Sequence, residues 1–121
     1  MLKSLSVDTP KAFDVVTIIA GLGLALAPWY LGFTTETAAA WNAWIVGAAV
    51  TLIAVAALFA FHQVEEWANA ALGLWAIVAP WALGFSALSV AVAAHVIAGL
   101  VVAAVAAARL WFTTGRPYST A

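Results

Sequence analysis

Four long apolar stretches separated by short polar breaks make up most of the chain. They run from about 13 to 33, 40 to 61, 67 to 85 and 88 to 112. Each comes near the roughly 20 helical residues needed to cross a hydrocarbon core about 30 Å thick. Ala and Leu dominate them, and the period-2 alternation of strands is absent. The breaks at Thr34–Thr37, His62–Glu66 and Ser86–Ser89 are short enough to join antiparallel neighbours. The pattern predicts an all-α membrane protein with four transmembrane helices. Residues 1–12 form an N-terminal segment, 13–61 and 67–112 hold two helices each, 62–66 form a loop, and 113–121 form a tail.

Composition narrows the class. Of 121 residues, 67% are hydrophobic and 7% charged, against about 25% charged residues in an ordinary soluble domain. A water-soluble globular protein, a disordered segment and a nucleic-acid binder are excluded. The formal net charge is −1, which attracts no polyanion. There is no cysteine, so disulfides, thiolate zinc sites and iron–sulfur clusters are excluded too. The positive residues precede the first span, as Lys3 and Lys11, or end the fourth, as Arg109 and Arg116. Positive charge beside span ends stays on the cytoplasmic side, so both termini and the 62–66 loop are expected to be cytoplasmic. The first span has features of a secretory signal, with Ala25-Leu26-Ala27 resembling a cleavage site. Pro28 directly after that site and the recurrence of the segment downstream favour a retained helix.

That recurrence is a duplication. Ala27-Pro28-Trp29-Tyr30-Leu31-Gly32-Phe33 returns as Ala79-Pro80-Trp81-Ala82-Leu83-Gly84-Phe85, and aligning Val15–Ala60 with Trp67–Phe112 at an offset of 52 gives 15 identities in 46 positions. Each unit holds two spans, so both copies enter the membrane in the same direction. They are parallel two-helix repeats related by an axis along the membrane normal.

At these residues the chain resembles the SPW-repeat family of small bacterial membrane proteins, named for a Ser-Pro-Trp motif in the first helix of each pair. The second copy is the closer match, with Trp67-x-Asn69-x-x-x-Gly73-x-Trp75 followed by Pro80-Trp81-x-Leu83-Gly84-Phe85. Both copies have Ala, at 27 and 79, where the family has Ser. The resemblance implies architecture and a bacterial plasma membrane, and no particular activity.

The motif has a physical reading of its own. Pro28 and Pro80 lack an N–H and are expected to kink their helices. Trp29 and Trp81 suit the membrane interface. Gly32 and Gly84 suit a left-handed helix end, with Phe33 and Phe85 covering the exit. A competing reading makes the kinked ends a pocket for a lipid, quinone or pigment. The small residues Gly21, Ala25, Gly47, Gly73, Gly99 and Ala103 permit close helix contact. Trp41, Trp44, Trp67, Trp75 and Trp111 are left to face lipid or a partner.

Polar groups within the spans are few. His95 and Asn42 lie at similar depth near the outer side, and Thr17 and Asn69, equivalent in the repeat, lie near the cytoplasmic side. His95 is expected to hydrogen-bond Asn42 or a backbone carbonyl. Alternatives are an axial ligand to haem or a pigment, since Ala91-x-x-x-His95 resembles the spacing on pigment-binding helices, or a proton relay. Glu65 and Glu66 suit the start of the third helix. No nucleophile–base pair, metal cluster or phosphate loop appears in the sequence. The expected function is therefore non-catalytic and without a cofactor. It is that of an accessory subunit of a membrane complex, or of a homo-oligomer, surrounded by lipid. The alternatives are a small oligomeric transporter or channel constricted at Asn42 and His95, and a cofactor- or pigment-binding subunit using His95.

Overall fold

The computed structural model describes residues 9–60 and 63–114. Lys3, His62, Arg116 and most of the two terminal segments lie outside them. The described residues form four helices: α1 (Thr9–Tyr30), α2 (Thr37–Phe59), α3 (Gln63–Ala82) and α4 (Ser89–Thr114). They pack as an up-down-up-down bundle. α1 lies along α2 and α3 along α4, and the two hairpins meet through α1 against α4 and, more lightly, α2 against α3. The expected 62–66 loop is shorter than its sequence suggested, because α3 already begins at Gln63 and takes Glu65 and Glu66 into its first turn, where carboxylates complement the helix dipole.

Three helices are long and apolar enough to cross a membrane: Lys11–Tyr30, Thr37–Phe59 and Ser89–Trp111. α3 has 20 residues, about 30 Å of helix, but Gln63, Glu65, Glu66 and Asn69 make it less apolar than the others. Large apolar side chains point outward on every helix. Ile19, Ile45, Leu74 and Ile97 are all more than half exposed. A surface this apolar is stable in lipid and not in water.

The interior is built from small side chains. Ala27, Ala40, Ala43, Ala79, Ala91 and Ala106 are completely buried. In each hairpin two glycines bring the backbones together. A Cβ on Gly47 would meet the backbone N of Ala25 and lie 2.6 Å from the Gly21 carbonyl oxygen. A Cβ on Gly99 would lie 2.6 Å from the Gly73 carbonyl oxygen and 3.0 Å from the Ile77 nitrogen. Gly21 and Gly73 are equivalent in the repeat, as are Gly47 and Gly99.

Candidate functional site

The most concentrated chemistry lies where α1 and α3 begin and α4 ends. Arg109 Nη1 donates to Asp14 Oδ1 at 2.6 Å and lies 3.8 Å from Glu66 Oε2. All three residues are buried, and the guanidinium carbon lies 5.9 Å from the centre of the Phe13 ring. Of the three, Glu66 lies in the first turn of its helix, where a carboxylate complements the dipole. Burying charges is expensive unless they are paired. Here one guanidinium faces two carboxylates from different helices, so α1, α3 and α4 are tied at one end of the bundle.

This cluster corrects the charge reading in two places. The first apolar run contains a buried carboxylate, Asp14. Arg109, counted as a terminal positive charge, is drawn into the bundle by the two acids. Glu66 serves this ion pairing as well as the α3 dipole.

One turn further along α1 and α3, Thr17 and Asn69 are also buried. The Thr17 hydroxyl donates to the Phe13 carbonyl at 3.0 Å, which satisfies it within its own helix. Asn69 is 1% exposed, and its Oδ1 accepts no hydrogen bond among the described residues.

At the opposite end, of the two partners expected for His95, Asn42 or a backbone carbonyl, the structure shows the carbonyl. His95 is fully buried. Its Nδ1 lies 2.8 Å from the Ala91 carbonyl oxygen, one turn back on the same helix. A carbonyl only accepts, so Nδ1 carries the proton and Nε2 is left as an acceptor. Its ring packs 4.9 Å from that of Phe85. Asn42 turns instead to α3, where its Oδ1 accepts from Trp75 Nε1 at 2.9 Å. Trp75 sits on the face of α3 nearest α2. Trp44 joins an aromatic cluster, with ring centres 5.3 Å from Trp29 and 5.2 Å from Trp41.

The repeated motif forms two matching helix ends. Gly32 and Gly84 have φ of 77° and 82°. Phe33 N–H donates to the Pro28 carbonyl at 2.9 Å, and Phe85 N–H to the Pro80 carbonyl at 2.8 Å. These are the six-to-one bonds of a Schellman motif, with glycine in the left-handed position. Pro28, Pro80, Phe33 and Phe85 are buried, while Trp29 and Trp81 are about 60% exposed. Each helix continues two residues past its proline, to Tyr30 and Ala82. The prolines and phenylalanines thus cap the bundle interior, and the tryptophans stand outside it.

Asp14 and Glu66 are separated by the repeat offset of 52, and Asn69 stands at the same offset from Thr17. That coincidence in the sequence is the signal for the ion cluster. Arg109 has no counterpart, since its equivalent is Ala57.

Apolar exterior, small-residue interior and two glycine-closed Pro-Trp helix ends define an all-helical, multi-pass membrane protein. The SPW repeat domain matches residues 11–109, and the chain belongs to that family. The matched stretch contains both acids and ends on Arg109. No curated protein and no solved structure matches the chain.

Proposed function

We propose that the protein is a non-catalytic, four-span component of the bacterial plasma membrane that works by lateral association, as an accessory subunit of a membrane complex or as a homo-oligomer. In this reading α3 also crosses the bilayer and the two hairpins are parallel repeats. Its support is that Gly73 and Glu66 on α3 take the places of Gly21 and Asp14 on α1. The carrying observation is the sealed ion cluster. Asp14, Glu66 and Arg109 are each at most 3% exposed, so the strongest polar groups serve the architecture. The surface offered to other molecules is apolar and bears Trp29, Trp41, Trp67, Trp81 and Trp111. Aromatic residues are enriched where proteins meet.

Native mass spectrometry from a mild detergent tests this. The expected result is a defined oligomer or a co-purifying membrane protein, and a monodisperse, partner-free monomer would refute the proposal. With Arg109 inside the bundle, orientation rests on Lys3, Lys11 and Arg116, which still favour cytoplasmic termini. Cysteines replacing Ser4 and Ser119 should be shielded from an impermeant thiol reagent in intact cells, and one replacing Thr35 should react.

A second reading, a small transporter, draws on the buried ionisable residues Asp14, Glu66, His95 and Arg109, since such groups among membrane helices often mark ion or proton paths. Flux across liposomes that is unchanged by adding the protein would eliminate it.

A further inference from the structure

Two of the matched positions at which the repeats differ set apart the crevices between the two hairpins. α2 and α3 meet at a crevice that the Trp75 indole bridges, donating to Asn42. The equivalent crevice lies between α4 and α1. There Gly23 stands in the place of Trp75 and Ala94 in the place of Asn42. Without the indole, this crevice remains open as a groove of about 580 Å³, lined by Ile19, Gly23, Leu24, Ala94, Ile97 and Ala98 among others. That volume lies within the range of sites that hold small molecules, about 300–1,000 Å³.

Gly23 is unlike the other helical glycines. Gly21, Gly47, Gly73 and Gly99 each abut a neighbouring helix so closely that a Cβ would collide with it. A Cβ on Gly23 would meet only the Tyr30 hydroxyl oxygen, at 3.8 Å. A glycine inside a helix lowers stability relative to alanine, and close helix packing does not account for this one. Its consequence is the open groove.

We infer that the α1–α4 groove is a binding site for a hydrocarbon chain of a membrane lipid. The occupant is apolar because the lining of the groove is nearly all apolar. Asn42, which satisfies the indole N–H on the other side, is replaced by Ala94. The Tyr30 hydroxyl donates its proton to the Gly23 carbonyl, at 2.8 Å. A hydrocarbon chain matches this lining without bringing a polar group that needs a partner there. The lining also extends along α1 from Val16 to Tyr30, about 21 Å at 1.5 Å per residue, which suits a chain lying along the helices. The site requires that α1 and α4 face lipid and is independent of lateral association.

The test transplants the plug from one crevice to the other. In native mass spectrometry of protein extracted from membranes with mild detergent, the natural chain should retain one phospholipid per protomer. The Gly23→Trp/Ala94→Asn variant should retain none. In vesicles of a phospholipid with a photoreactive acyl chain, labelling of the natural protein should concentrate on Ile19 and Ile97 and fall at least fivefold in the variant. Thermal unfolding reports whether the double variant folds. Should it fail to, Gly23→Leu, for which there is room, must show the same loss. Equal lipid retention by natural and plugged proteins overturns the inference, as does labelling spread evenly onto Ile45 and Leu52. Crosslinks between the grooves and a second copy overturn it in favour of self-association there.

Discussion

Asp14 and Glu66 occupy the same position in the two repeats, yet Arg109 lies 2.6 Å from the first and 3.8 Å from the second. The charge is unbalanced because both repeats carry an acid at this position, whereas the arginine has only Ala57 as its counterpart. Removing one partner of a buried ion pair typically costs about 3–5 kcal/mol. Arg109→Gln should therefore be the most damaging of the single changes, because it leaves two buried carboxylates without their cation. Asp14→Asn should cost more than Glu66→Gln, following the two distances. Replacing all three at once, as Asp14→Leu/Glu66→Leu/Arg109→Met, should recover most of the lost stability. Thermal unfolding in detergent provides the ranking. A triple variant no more stable than Arg109→Gln would show that the cluster does more than hold helices.

The glycines should split by sign. Gly47→Ala drives a Cβ into the backbone of α1, which has no flexible side chain to yield, and overpacking of this kind typically costs about 1–3 kcal/mol. Gly99→Ala should behave similarly against α3. Gly23→Ala meets no such obstacle and gains helix propensity, up to about 1 kcal/mol. Melting temperatures should fall for the first two variants and hold or rise for the third. A fall for Gly23→Ala would mean that its backbone is packed more tightly than the structure indicates.

Much of this arrangement was legible in the sequence, because helix formation and turn chemistry are local. The apolar runs marked the helices, and Pro-Trp followed by Gly-Phe marked both helix ends, since only the left-handed conformation at Gly32 and Gly84 returns the chain so sharply. What escaped depends on partners distant in sequence. Asp14 lies inside an apolar run, one residue before the repeat alignment of Val15–Ala60 with Trp67–Phe112, and its match to Glu66 shows only when that offset is extended. Arg109 resembled any basic residue ending a span, because nothing local reveals that 95 residues earlier an acid awaits it. Asn42 and His95 share a depth, but depth does not fix the direction in which each points around its helix. The rotation of α3 put Trp75 in front of Asn42.

The Trp75–Asn42 hydrogen bond joins the two hairpins across the α2–α3 seam, which packs more lightly than the α1–α4 seam. Interhelical side-chain bonds in membranes average about 0.6 kcal/mol and reach about 1.7. Asn42→Ala and Trp75→Phe should each lower stability modestly, and a double-mutant cycle between them should show coupling within that range. Fully additive effects would mean that the indole acts by filling the crevice alone, with its N–H contributing nothing.

His95 divides the functional readings most sharply. Its Nδ1–H is satisfied by the Ala91 carbonyl of its own helix, so the hydrogen bond does not join helices, and Nε2 makes none among the described residues. A buried acceptor without a partner is a cost, and replacing it by an apolar group of similar shape is often neutral or stabilising. His95→Leu should therefore match or exceed the natural protein in thermal stability. His95→Ala should lose stability, because it leaves a void beside Phe85, whose ring centre lies 4.9 Å from the imidazole. Both variants should assemble as the natural chain does, and the purified natural protein should be colourless. A cofactor-binding role predicts the reverse pattern: a visible absorption band in the natural protein, bleached in His95→Leu despite an intact fold, because Nε2 would be the atom ligating the metal. A proton-relay role predicts a third, with an absent band and flux abolished by His95→Leu. Absorption spectra and liposome flux on the same three proteins, read beside their melting curves, distinguish a packing residue from a ligand and from a relay.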